Sequence, residues 1–203
     1  IYPLSLHDAL PISCEMVAEV LQYIADGIRI KSAEADAMYA GIVIDTNNFT
    51  NQTGVRTFEA AAFLRRNGAD VVRVRKLFRD DLDDYKAKAE AVREAEIFEG
   101  CFAISTCPSE GIESPTVVGA QAANELLDIA GMKASIVMTF YNNTIYLSAR
   151  SIDEVNVQVM MEKLGGGGHR TIAGAQLKDM SLEEARNRVK EVIRDMLEKG
   201  DIS

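Results

Sequence analysis

Four consecutive glycines followed by two polar side chains, Gly165-Gly166-Gly167-Gly168-His169-Arg170, constrain this chain more than any other stretch. Backbone without side chains reaches left-handed conformations at no steric cost and lets a ligand lie directly against its amides. Successive amides of this kind form a concavity for anions. The histidine that follows can carry a proton, and the arginine offers a planar fork matched to phosphate. The run therefore reads as a phosphate cradle with two polar hands. The plainer alternative is a flexible linker, but such linkers usually carry serine in polar surroundings. This run instead stands between a helical pattern, Val155 to Leu164, and a short apolar run, Ile172 to Leu177.

The rest of the second half supplies a framework for that cradle. Cys101 to Thr106 reads as a strand and Thr116 to Ala130 as a helix stopped near Gly131. Two β-rich runs, Ala134 to Tyr141 and Thr144 to Ser151, flank Asn142-Asn143. A two-residue connection that tolerates positive φ predicts a β-hairpin. Gly174 to Leu177 reads as a further strand. Ser181-Leu182-Glu183-Glu184 is a capping-box start for a last helix running to about Lys199. Arg150 leaves a strand end, so it can converge with His169 and Arg170 on one anion. The alternative for Arg150 is a structural arginine paired with a carboxylate.

The first half is helical with one apparent strand. Met16, Val17, Val20, Leu21, Ile24 and Ile28 recur at helical spacing across Glu15 to Ile30, with Ser13 as a candidate cap. Ser32 to Tyr39 reads as a second, short helix. Gly41-Ile42-Val43-Ile44 is a continuous apolar run of the kind found in buried parallel strands, and Asp45 ends it. A carboxylate at the carboxyl end of such a strand stands where open α/β sheets bind ligands; capping a turn is the alternative. Thr57 to Asn67 predicts a helix with Phe58, Ala61, Ala62 and Leu64 facing in and Gly68 as its stop. Asp70 to Val74 reads as a short strand. Arg65, Arg66, Arg73, Arg75, Lys76 and Arg79 form either a solvated basic face or a patch for an anion. Asp80 to Glu99 predicts a connecting helix, with Asp80-Asp81-Leu82-Asp83-Asp84 as carboxylates at its N-terminus and not a calcium loop.

Composition removes several function classes. The 203 residues carry a net charge of -9, a poor match for duplex DNA, although a local basic pocket would suffice for a small nucleotide. Three scattered cysteines, Cys14, Cys101 and Cys107, form no metal-ligand pattern and suit a reducing compartment. No apolar run approaches the roughly 20 residues of a membrane span.

Two motif groups together resemble the DHH/DHHA1 phosphoesterase family. Ser148-Ala149-Arg150-Ser151 with Gly165 to Arg170 and Ala173-Gly174 is similar to its DHHA1 domain. Ile44-Asp45-Thr46-Asn47-Asn48-Phe49 with Thr53 to Glu59 is similar to the last metal-binding motif of the preceding DHH domain. The Asn47-Asn48 pair resembles the cyclic-di-AMP phosphodiesterase branch. The resemblance implies an α/β chain: a truncated DHH remnant over 14–79 with a partly parallel sheet and helices, a linker helix over 80–100, and a DHHA1 domain over 101–203 with a mixed sheet flanked by helices. It implies hydrolysis by two Mn2+ ions, with Asp45 as one metal ligand and with Arg150, Gly165, Gly166, Gly167, Gly168, His169 and Arg170 holding a cyclic dinucleotide. It implies a cytoplasmic domain whose parent is anchored in the cell membrane through upstream segments, and it leaves a homodimer open. The family's Asp-His-His motif has no counterpart here, and no histidine stands between His7 and His169. The expectation is a C-terminal fragment inactive alone. Other readings are a short-oligonucleotide exonuclease or phosphatase of the same superfamily, and a non-catalytic nucleotide- or RNA-binding module. Residues 1–13 fit nothing that follows and resemble a translated sequencing adapter, so His7-Asp8 is set aside as a site.

Overall fold

The structure, a computed structural model, describes residues 13–24, 29–50, 53–152 and 154–200. The stretch expected to be foreign therefore lies, up to residue 12, outside the described residues. The chain divides into two compact units, Ile1–Arg79 and Asp80–Ser203.

The first unit, as described, is helical: α1 (Ser13–Tyr23), α2 (Ser32–Asp45), α3 (Val55–Arg66) and α4 (Val71–Leu77). Its core is small, built from Ala18, Ala35, Ile42, Ala60, Leu64 and Ala69. Gly41 is where α1 and α2 meet: a Cβ there would run into the Cys14 sulfur. Four expectations are corrected in this unit. Of the residues expected to face in from α3, Ala61 and Leu64 are buried, but Phe58 and Ala62 are exposed. The apolar stripe of α1 faces outward, with Met16, Val17 and Val20 exposed, while Glu15 and Ala18 are buried. The periodicity established a helix but not which side would be covered.

Gly41 to Ile44 is not a strand but the last turn of α2. Ile42 is fully buried while Ile44 is 64% exposed, and four apolar residues fit a half-buried helix as well as a strand. Asp70 to Val74 is likewise helical. Asp70 caps α4, its carboxylate accepting from the Val72 amide at 2.8 Å and the Arg73 amide at 3.1 Å. That cap outweighs the β-branched valines that follow. Gly68 at φ 96° ends α3 in the left-handed conformation, as its position predicted.

The second unit begins with α5 (Leu82–Arg93) and continues through β1 (Glu96–Phe98), β2 (Phe102–Cys107), α6 (Pro115–Leu127), β3 (Ala134–Tyr141), β4 (Thr144–Ser151), α7 (Val157–Glu162), β5 (Gly167–Gly168), β6 (Ile172–Lys178) and α8 (Leu182–Glu198). The stretch Asp80 to Glu99, expected as one helix, is thus a helix and an edge strand. Asp81 caps the helix by accepting from the Asp83 and Asp84 amides, both at 2.9 Å.

The six strands form one mixed sheet in the order β1-β2-β3-β4-β6-β5. Only β2 and β3 run parallel, joined through α6; the other pairs are antiparallel. Helices cover both faces. Ala87, Ala91, Val118, Ala122 and Leu126 of α5 and α6 pack on one side with Val137. On the other, Met160 of α7 and Val189, Ile193 and Met196 of α8 pack with Ile136, Met138 and Leu147. The chain is α/β, as expected. The hairpin of β3 and β4 turns through Asn142 at φ 48° and Asn143 at φ 58°, the twist-compatible geometry for a two-residue loop. Ser181 and Glu184 form the expected reciprocal cap of α8.

Candidate functional site

The glycine run is not an open loop. Gly165, at φ 80°, closes α7 in the left-handed conformation, and Gly167-Gly168 forms the edge strand β5 on β6. The Gly165 amide donates to Glu162 O at 3.0 Å, Gly166 to Met161 O at 2.8 Å, and His169 to Ile172 O at 2.7 Å. The expected bowl of successive free amides is therefore corrected. Alternation along the antiparallel pair leaves the Gly168 amide turned to the sheet's open edge.

What the glycines supply is the absence of side chains. A Cβ on Gly166 would lie 2.6 Å from the Cα of Ala175, and one on Gly168 would lie 2.5 Å from the Cα of Ala173. Both allow β5 to close on β6. Gly167 differs, because nothing lies within 4 Å of its missing Cβ. It stands directly opposite Gly174, so two bare positions adjoin across the strands.

These bare positions make a shelf. Along β4, Leu147 and Ala149 enter the core, while Tyr146, Ser148 and Arg150 turn to the side covered by α6. The register sets Tyr146 against Gln176, Ser148 against Gly174 and Arg150 against Ile172. A groove of about 370 Å³ follows, lined by Thr116 at the start of α6, by Tyr146 and Ser148, and by Gly166, Gly174 and Gln176.

Arg150 is held at the far end of this face. Its Nε donates to Asn124 Oδ1 at 2.9 Å and its Nη1 to Ala149 O at 2.9 Å. Burial lowers its pKa, and among the described residues no carboxylate contributes. The structural alternative, a carboxylate partner, is not what is found; both acceptors are neutral amides. A cation held only by neutral dipoles keeps its attraction for an incoming anion. His169 and Arg170 are exposed in the tight β5–β6 turn at the same end. The backbone of that turn is fixed, since Arg170 O accepts from the Val157 amide at 2.9 Å.

Asp45 belongs to the first unit. It is the exposed last residue of α2, not a residue at a strand end. After it, Thr46 is fully buried, its hydroxyl donating to Ile42 O at 2.6 Å and accepting from the Phe49 amide at 2.9 Å. Asn47, Asn48 and Phe49 all take positive φ, 45°, 59° and 62°. Such a run of non-glycine residues costs energy and persists only where neighbours enforce it. Here Phe49 stacks on Phe58 with centroids 5.5 Å apart and meets Tyr39 at 6.0 Å. Among the described residues no three His, Cys, Asp or Glu side chains gather as a metal-binding group.

The basic run is partly structural. Arg73 holds Asp36 through two bonds, at 2.7 and 3.2 Å, and donates to Gly68 O at 2.8 Å. Arg65 donates to Ala69 O. Sequence reasoning missed Thr116, Tyr146 and Gln176. The alternation Tyr146-x-Ser148-x-Arg150 held the signal for Tyr146, but Gln176 and Thr116 join the groove only through strand register and helix packing.

Comparisons with known proteins bear on the family and the fold. Residues 101–198 match the model of the DHHA1 domain. The chain is 43% identical over 187 residues to the cyclic-di-AMP phosphodiesterase GdpP of Geobacillus thermodenitrificans, covering 92% of this chain and 28% of that protein. It is 42% identical over 178 residues to the cyclic-di-AMP phosphodiesterase PdeA of Listeria monocytogenes, covering 87% of this chain and 27% of that one. The chain thus spans under a third of the length of these relatives. Among solved structures, an exopolyphosphatase-related protein from Bacteroides fragilis superposes with a TM-score of 0.82 at 18% identity, over 92% of this chain and 57% of that one, a likeness of fold. Sequence kinship along nearly the whole chain and a domain match on its second unit agree: residues 101–198 are a DHHA1 domain, in a chain similar to part of the cyclic-di-AMP phosphodiesterases.

Proposed function

We propose that the second unit is the nucleotide-holding part of a phosphodiesterase acting on cyclic dinucleotides, cyclic-di-AMP foremost. The observation that carries this reading is Arg150: a partly buried guanidinium on the same sheet face as a glycine-floored groove, with neutral partners among the described residues. In this reading the substrate's backbone lies across Gly174 and Gly167, where no side chain stands in its way. Arg150 neutralises a phosphate at one end, and the exposed Arg170 and His169 close over it from the turn. Binding through a guanidinium fork fixes the orientation of the phosphate as well as its position.

The reading includes two manganese ions in a longer parent, with Asp45 as one ligand. The described residues of this chain do not themselves assemble such a centre, so no step is derived through the metal. The chain alone is therefore expected to bind nucleotide without turnover. Purified 203-residue protein is to be incubated with cyclic-di-AMP and manganese, with products followed by chromatography and binding by calorimetry. Binding that is lost in Arg150→Ala, without hydrolysis, is the expected result. Turnover above a protein-free control overturns the inactivity, and unchanged binding by Arg150→Ala overturns the site. Tighter binding of a linear short oligonucleotide than of the cyclic compound would move the reading to the oligonucleotide branch of the superfamily.

A further inference from the structure

The face of β4 and β6 that carries the groove has two chemically different ends. At one, Arg150 stands opposite Ile172, whose carbonyl holds the His169 amide. At the other, Tyr146 stands opposite Gln176. Ile172 and Gln176 lie four steps apart along β6, roughly 13 Å at the usual strand rise. Between them, Ser148 lies opposite the bare Gly174. The first end is cationic. The second carries no charge but has an aromatic ring, a primary amide and, from the start of α6, the Thr116 hydroxyl. Tyr146 is half-buried and Gln176 exposed. Nothing in the proposed phosphate contact uses them.

We propose that Tyr146 and Gln176 form a base-reading subsite that selects adenine, a proposal resting on the reading of the groove as a nucleotide site. Tyrosine offers a face on which any base can stack. Stacking alone discriminates little, so the choice falls to the amide. A glutamine side chain matches adenine in both directions at once: its carbonyl accepts from the exocyclic N6 amine while its NH2 donates to N7. Guanine presents two acceptors, O6 and N7, on the same edge. The glutamine carbonyl then faces another oxygen, and one bond is lost. The missing Gly174 side chain makes this possible, since a Cβ there would lie 2.9 Å from Leu147 O and would rise beside Ser148 into the path between the two ends. The volume of about 370 Å³ is of the order of small-ligand clefts.

The test is calorimetric titration of the full chain with AMP and with GMP. AMP is expected to bind about tenfold more tightly, the discrimination one bidentate base contact supplies. Gln176→Leu is expected to bring the AMP:GMP ratio close to one. Because Gln176 is exposed on β6, its replacement leaves the core intact, and circular dichroism checks this. Tyr146→Ala is expected to weaken both nucleotides, with Tyr146→Phe restoring both, since the ring and not the hydroxyl does the stacking. Arg150→Ala is expected to weaken both without moving the ratio. A wild-type preference that survives Gln176→Leu overturns the base pocket while leaving the nucleotide groove standing. Failure of the unaltered chain to bind either nucleotide overturns the groove itself, and the pocket with it.

Discussion

The two units solve the problem of holding a chain together in different ways. The second has a sheet covered on both faces, with Ile136, Met138, Met160 and Ile193 fully buried. The first buries mostly alanine and leaves Val17, Val20, Ile44, Val55 and Phe58 about half exposed or more. Its order leans on polar anchors. The partly buried Asp36 receives Arg73 and the Asp70 amide, the latter at 2.6 Å. Buried Glu15 accepts from the Thr57 hydroxyl at 2.6 Å, and Arg56 pairs with Glu19. Apolar burial contributes in proportion to area and needs no exact geometry. Polar anchors contribute only when every partner is in place. The second unit should thus be the more sensitive to lost volume.

The largest contrast is expected from truncating apolar side chains. Ile136→Ala removes a fully buried side chain between strands and α8 and should cost about 2–5 kcal/mol by denaturant unfolding. Ile44→Ala, at a residue 64% exposed, should change stability by less than about 0.5 kcal/mol. Equal losses would break the comparison. A second contrast lies within the glycine run. Gly166→Ala forces a Cβ against Ala175 and should destabilise the second unit by about 1–3 kcal/mol while abolishing nucleotide binding. Gly167→Ala meets open space, so stability should hold and binding alone should fall. Urea melts paired with calorimetry separate the two.

The pH contrast is smaller. The Arg73 guanidinium, then the Asp70 amide, hold the Asp36 carboxyl below its ordinary value. A group with a lowered folded pKa contributes stability above its unfolded value, about 3.9, and loses it as pH falls through the folded value. Acid titration should therefore weaken the first unit as pH falls through that value, and Asp36→Asn should flatten that slope. In the second unit, burial pushes the Cys107 thiol up to about 11. The sign reverses for this raised group: its contribution is complete below the unfolded value and is lost as pH rises through the folded one. Cys107 should resist a thiol reagent at pH 8, under native conditions, longer than Cys101 does. The smallest effect is Ser181→Ala, which removes the cap of α8 at a cost of about 1 kcal/mol.

The second unit was more legible in the sequence than the first, for a physical reason. Its hairpin is declared by Asn142-Asn143, two residues that accept positive φ, and its last helix by the Ser181-Glu184 cap; both signals are local. The first unit's errors came where local signals were degenerate. Gly41 to Ile44 is too short to distinguish a half-buried helix from a strand. At the candidate site, the glycines mark an edge of the sheet, but not as a row of free amides. Their amides are largely committed to α7 and β6, and that commitment depends on a pairing register no single stretch reveals. Asp45 was legible as part of a motif but not as the end of a helix.

Because Gly166 and Gly168 press on β6 while Gly167 does not, the number of glycines matters as much as their identity. One residue more or fewer before His169 would exchange the crowded and open positions and swing the smooth side of the strand towards its neighbour. The run works as a measured spacer, and length variants should be tolerated far less readily here than in the turns elsewhere in the chain.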